Sequence, residues 1–209
     1  MKALTQVESD KLIRSYAPLA RSLLTNNVSE ALRFSDNFPL VLKIISPDAI
    51  HKTDICGVTI VNSKEGLEKS YSELVENSKK RGLKLNGILV QEFVKGQELI
   101  IGLKNDQTFG HVILLGIGGV LVEVLDDVSF RVCPITEDDA ESMINDLKAK
   151  DVLLKPRDHK KINLGLLKKT LVSVSKIPSK HKNIEELDIN PFVLNDKEGK
   201  VADARIVLG

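Results

Sequence analysis

Val41-Leu42-Lys43-Ile44-Ile45-Ser46-Pro47-Asp48, followed by His51-Lys52-Thr53-Asp54 and Gly57-Val58, is the stretch on which the reading of this chain turns. Leu40 to Ile45 is apolar except at one position, which predicts a buried strand. Gly57 to Val61 predicts a second strand, with a polar connection between the two. Lys43 is the exception in the first. A cation inside an apolar strand costs free energy unless it is paired or faces a ligand. Lys43 is therefore either aimed at nucleotide phosphates or placed on the solvent face of a half-exposed strand. His51 lies in the connection, beside Lys52 and Asp54. A histidine nitrogen can attack phosphorus; a solvated loop histidine is the other reading.

Outward from this stretch the pattern is mixed. Upstream, Thr5 and Glu8 have the spacing of a capping box, and Leu12, Ile13, Tyr16, Leu19, Ala20 and Leu23 recur at helical spacing. A short helix is expected over residues 30–35, and Pro39 closes this helical leader. Downstream, Ser63 suits the N-cap of a helix carrying Leu67, Tyr71, Leu74 and Val75, with Gly82 at its end. Strands are expected at 87–94, 98–104, 111–115, 120–125 and 129–135. A helix begins at Thr136 with Glu137, Asp138 and Asp139 in its first turn, where they complement the helix dipole. A loop over 150–161, a helix over 164–174 and a closing hairpin of 187–194 and 201–208 complete the chain. The fold class is α+β (mixed α/β), with a leader over 1–38, one lobe over 39–94 and a second over 95–209.

Composition excludes several classes. The 209 residues carry a net charge of +1, so no overall field draws the chain to nucleic acid or a membrane surface. Aromatics are 4% and Trp is absent, which argues against base-stacking platforms. Two cysteines are too few for a disulfide framework. No apolar run is long enough to span a bilayer, and the amino terminus has no signal-peptide core, so an intracellular protein is expected.

Two further groups carry chemistry. Gly116, Gly118 and Gly119 do not precede a Gly-Lys-Ser/Thr and do not make a dinucleotide fingerprint; tight turns account for them. Asp188 and Asn190 lie two apart on an expected strand and so share a face, and Asp203 lies on the next strand of the hairpin. Two carboxylates and an amide oxygen suit Mg²⁺ held with phosphates; polar residues at strand ends are the alternative.

Taken in order, these blocks resemble one family. The opening stretch is similar to the signature of the β subunit of ADP-forming acetyl-CoA synthetases. Leu89-Val90-Gln91-Glu92 with Glu98 resembles its interlobe hinge. Phe109-Gly110, Gly116-Ile117-Gly118-Gly119, Val122-Glu123-Val124 and Val128-Ser129-Phe130-Arg131-Val132 resemble a later block. Glu186-Leu187-Asp188-Ile189-Asn190-Pro191 and Ala202-Asp203-Ala204-Arg205 resemble the terminal one.

The resemblance implies an ATP-grasp fold, in which two α+β lobes hold ATP or ADP between them. Lys43 would contact phosphates. Gln91, Glu92, Phe93 and Val94 would line the adenine and ribose end, and Glu98 would meet the ribose. Asp188, Asn190 and Asp203 would hold Mg²⁺. His51 would relay phosphate, with Arg131 as a further positive group. The implied reaction interconverts acyl-CoA, ADP and phosphate with carboxylic acid, ATP and CoA. No CoA-binding Rossmann unit is recognisable, which implies a separate CoA-binding α subunit, in an α₂β₂ assembly, and a cytoplasmic location. Two rival classes remain: a stand-alone ATP-grasp carboxylate ligase, which needs no relay histidine, and a non-catalytic nucleotide-binding module. One position departs from the family. Cys56 stands where the first of two glycines is usual, and a side chain there can narrow the turn and hold φ below zero.

Overall fold

The computed structural model describes residues 1–48, 55–118, 127–154 and 162–209. In chain order the elements are β1 (Lys2–Ala3), α1 (Gln6–Ile13), β2 (Ser22–Thr25), α2 (Val28–Phe34), β3 (Leu40–Ile45), β4 (Val58–Val61), α3 (Lys64–Lys80) and β5 (Gly87–Glu92). There follow β6 (Gln97–Asp106), β7 (Gly110–Ile117), β8 (Val128–Val132), α4 (Glu137–Asp146), α5 (Asp151–Leu154), α6 (Leu164–Val174), α7 (Ile177–Lys180), β9 (Ile184–Leu194), β10 (Gly199–Val201) and β11 (Ala204–Leu208). The chain divides into two compact units, Ala20–Phe93 on the one hand and Met1–Leu19 with Val94–Gly209 on the other.

The unit of Ala20–Phe93 is a four-stranded antiparallel sheet in the order β2-β5-β3-β4. Leu40, Leu42 and Ile44 pack against Ala31 of α2 and Leu67, Tyr71 and Leu74 of α3. Each such buried aliphatic side chain contributes about 2 kcal/mol. Ser63 caps α3 by accepting from the Gly66 N–H at 3.1 Å, as the sequence predicts. The Tyr71 hydroxyl reaches the Thr25 carbonyl at 3.1 Å and ties the helix to β2.

The other unit is a seven-stranded sheet in the order β1-β11-β9-β6-β7-β8, with β10 also on β9. Leu99, Ile101 and Leu103 of β6, Ile113 and Leu115 of β7 and Leu187 and Ile189 of β9 turn one face towards Met143 and Ile144 of α4 and Leu167 and Leu171 of α6. Thr136 and Asp139 form a capping box at the start of α4. Among the described residues, no helix is long and apolar enough to cross a membrane.

The structure corrects the expected leader. Its first helix stops at Ile13 rather than running through Leu23. Pro18 cannot continue a helix; Leu19 bridges to Val201, and Leu23 and Leu24 belong to β2, where they pair with Val90 and Leu89. The first 38 residues are thus shared between the two units. The closing strand is also divided: β10 ends at Val201 and β11 begins at Ala204, leaving Ala202 and Asp203 as a turn. The strand expected over 120–125 lies outside the described residues. Within the expected 150–161 loop, residues 151–154 form α5, and residues 155–161 lie outside the description.

Candidate functional site

Strand alternation sets Lys43 apart from its neighbours. Leu42 and Ile44 enter the helix-packed core, so Lys43 projects from the opposite face of the sheet. It is only 6% exposed, which removes the reading of a lysine on a solvent face. Gln91, 2% exposed, shares that face: Val41 is opposite Gln91 in the ladder, and Lys43 lies two residues along. Glu92 is turned to the other face. Its Oε1 accepts the Arg21 backbone N–H at 2.7 Å, and its own N–H donates to the Arg21 carbonyl at 2.9 Å. The Glu92 side chain therefore extends the β2–β5 pairing. Phe93 is exposed and Val94 half-buried, each closing its own unit's end of the connection.

The seven-stranded sheet gathers the remaining residues. Leu99 and Ile101 face its core, so Glu98, Ile100 and Gly102 face outward. Leu187 and Ile189 face the core, so Asp188 and Asn190 face outward on the same side. A bulge lies between Leu99 and Ile101, where Asn190 and Pro191 of β9 together oppose Ile100. Such a bulge re-aims side chains at sheet sites. The Asn190 N–H donates to the Asp203 carbonyl at 3.1 Å, which brings the third expected ligand alongside. Glu98 is positioned by Gly118, whose N–H donates to the Glu98 carbonyl at 2.8 Å. A Cβ on Gly118 would stand 2.9 Å from the Glu98 carbonyl carbon, so only glycine permits this approach.

The electrostatics of this face suit a cation. Protein crowds the Asp188 carboxyl although the residue stands on the open side of the sheet. That desolvation, then repulsion from Asp203, pushes its pKa above the ordinary aspartate value; Arg205 opposes the shift and Glu186 adds to it. Arg205 was given no role from sequence, and the β9–β11 register sets it opposite Asp188. Among the described residues no group of three or more His, Cys, Asp and Glu forms a metal cluster. The donors here are two carboxylates and an amide, hard oxygens that fit Mg²⁺ when phosphate and water complete the shell.

Arg131 does not join them. It pairs with Ile113, whose side chain is in the core, so Arg131 lies on the helix side of the sheet. Its Nη2 donates to Asp146 at 2.6 Å and to the Ser142 hydroxyl at 2.7 Å, and its Nη1 to the Phe130 carbonyl at 2.7 Å. This cation fastens β8 to α4, which corrects its expected place beside the phosphates.

His51 lies outside the described residues. On the flanks of its segment, the Lys84 N–H donates to Asp48 Oδ2 at 2.9 Å, and the Asn77 Nδ2 donates to the Ile55 carbonyl at 2.8 Å. Cys56 adopts φ +52°, so the side chain has not held φ negative; the backbone takes the glycine-like conformation with a cysteine in it.

The chain matches the ATP-grasp domain family over residues 1–208. It is 37% identical over 216 residues to the acetate–CoA ligase [ADP-forming] II subunit β of Pyrococcus furiosus, covering 99% of this chain and 92% of that one. It is 40% identical over 191 residues to the acetate–CoA ligase [ADP-forming] I of Archaeoglobus fulgidus, covering 89% of this chain, yet it spans 28% of that protein's length. Among solved structures, the dinucleotide-forming acetyl-coenzyme A synthetase 1 of Ca. Korarchaeum cryptofilum, in complex with coenzyme A, Ca-AMPCP and HgCl⁺, superposes with a TM-score of 0.94 at 42% identity, covering 100% of this chain and 94% of that one. A second structure of that enzyme holds coenzyme A and Mg-AMPPCP, its phosphohistidine segment pointing towards the nucleotide binding site (TM-score 0.86, 41% identity, 100% and 93% covered).

Proposed function

The chain belongs to the ATP-grasp family, in the branch of the ADP-forming acetyl-CoA synthetase β subunits, and on that premise we propose that it is the ATP-binding subunit of an ADP-forming acyl-CoA synthetase. The observation that carries the reading is the outer face of the seven-stranded sheet, where Glu98, Asp188 and Asn190 project together with Asp203 bonded alongside. Such a face is made for a nucleotide's ribose and a phosphate-bound cation.

In this reading Lys43 binds the phosphates and Gln91 lies beside it. The backbone from Glu92 to Val94 meets the adenine end, and Glu98 accepts from the ribose hydroxyls. Asp188, Asn190 and Asp203 hold Mg²⁺, which when bound neutralises phosphate charge. His51 then takes the terminal phosphoryl group: a bond forms from a ring nitrogen to phosphorus as the bond from phosphorus to the ADP oxygen breaks, and ADP leaves. Phosphoryl transfer of this kind is chiefly positioning and charge neutralisation. On a separate CoA-binding α subunit, in the cytoplasm, the phosphoryl group passes from the histidine nitrogen to a carboxylate oxygen of the acid, and the CoA thiol then attacks the acyl carbon and expels phosphate; the overall reaction is reversible. The protein acts with neither nucleic acid nor membrane.

The test is incubation of the chain and its α partner with γ-labelled ATP, followed by mapping of acid-labile label. Label on His51 supports the reading. Label confined to the partner, with His51 unlabelled at all times, rejects it.

A further inference from the structure

We infer that Gln6 is a positioning residue for the metal-holding turn, making the amino-terminal segment a structural part of that site. This rests on the reading of Asn190 and Asp203 as metal ligands. Ala202 and Asp203 lie in the interval where β10 has ended and β11 has not begun, so strand pairing on either side does not extend through them. Other bonds hold them. The Ala202 N–H donates to the Pro191 carbonyl at 2.9 Å, and the Asp203 carbonyl accepts from the Asn190 N–H at 3.1 Å. On the remaining side Gln6, 4% exposed at the start of α1, donates from Nε2 to the Ala202 carbonyl at 2.9 Å.

That carbonyl belongs to the peptide that joins Ala202 to Asp203. Rotation of this one peptide would swing the Asp203 carboxylate, and a metal site tolerates only about 0.5 Å of displacement. The support behind Gln6 is itself built. Thr5 and Glu8 form a capping box that fixes the first turn of α1. The Leu4 N–H donates to the Ile206 carbonyl at 2.8 Å, and β1 pairs with β11. At the far end of the segment the Val201 N–H donates to the Pro18 carbonyl at 2.8 Å. The amino-terminal 19 residues thus grip both sides of the Ala202–Asp203 turn, and Gln6 is the side chain that reaches into it.

The experiment is calorimetric titration of ADP into the purified full chain, in Mg²⁺ and in EDTA. The readout is the ratio of the two affinities, which a loss of fold stability by itself does not change. Gln6→Ala is expected to lower the ratio roughly tenfold, the scale of losing support behind a metal ligand, while affinity in EDTA holds. Gln6→Glu, which keeps the size and loses the Nε2 donor, is expected to do the same and serves alone should Gln6→Ala not fold. Ile13→Val, in the same helix, is expected to lower the melting temperature without changing the ratio. A ratio that survives both Gln6 variants while Asp203→Ala abolishes it overturns the inference and leaves the site standing. An equal drop in Ile13→Val also overturns it. A Mg²⁺ effect that is missing in the wild type, or that survives Asp203→Ala, overturns the reading of the site and the inference with it.

Discussion

Arg131 and Asp188 stand on opposite faces of one sheet. Arg131 is in register with Ile113 and, across β7 and β6, with Leu103 and Leu187, all of them core residues. Asp188 is the next residue after Leu187, and the pleat turns it to the other side. An arginine inside a block shared with nucleotide-binding proteins is here a strut between β8 and α4.

Replacing Arg131 by Met should therefore lower the melting temperature and leave ADP affinity in Mg²⁺ unchanged. The Arg131 hydrogen bond holds the Asp146 carboxyl below the ordinary aspartate value. A depressed carboxylate contributes stability above its unfolded pKa and loses it as pH falls through the folded one. The gap in melting temperature between wild type and Arg131→Met should accordingly narrow as the pH is taken below about 4. Loss of nucleotide affinity in the variant, with a normal melt, would return Arg131 to the site.

Asp188 gives the opposite sign. Its pKa is raised in the folded chain by burial and by Asp203. The stability it contributes is full below the unfolded value and falls as pH rises through the folded one. In EDTA at pH 7, Asp188→Asn should melt higher than wild type, and the difference should vanish in acid. Mg²⁺ with ADP should raise the wild-type melting temperature and have little effect on the variant. Thermal scans over pH with and without the metal check both arms.

Gly118→Ala places a methyl group against the Glu98 backbone. The neighbour is main chain and cannot step aside, so the cost should be about 1–3 kcal/mol in urea unfolding, as for overpacking. Nucleotide affinity should drop with it, because Glu98 is displaced. Glu98→Gln should lower affinity with little change in stability, separating the carboxylate's role from the backbone's.

Cys56 holds a left-handed conformation at φ +52°. A non-glycine residue pays roughly 1–2 kcal/mol there, against roughly 0.4–1 kcal/mol that glycine adds to the entropy of the unfolded chain. Cys56→Gly should therefore stabilise the protein by about 0.5–1 kcal/mol, and Cys56→Ala should not. Equal denaturation midpoints for the glycine and alanine variants would show that the backbone is not strained at this position.

The local and periodic features were legible in the sequence. The caps at Thr5, Ser63 and Thr136 are contacts three residues long. Lys43 stood out because an apolar strand surrounds it, and Asp188 and Asn190 share a face because strands repeat every two residues. The leader was misread where helical spacing from Leu12 to Leu23 was accidental and Pro18 was passed over. Arg131 was misassigned because a motif records neighbours in the chain and leaves open which face of a sheet each one meets.

By itself, the sequence determined the caps, the family and most of the strands and helices beyond the leader, since each depends on residues within a few positions or on ordered blocks. Only the tertiary structure decided that Gln6 meets Ala202 across 196 residues, that Arg205 opposes Asp188, and that Arg131 turns away from it. Those pairings depend on sheet order and register, which long-range burial and backbone hydrogen bonding select together, and no local pattern encodes them.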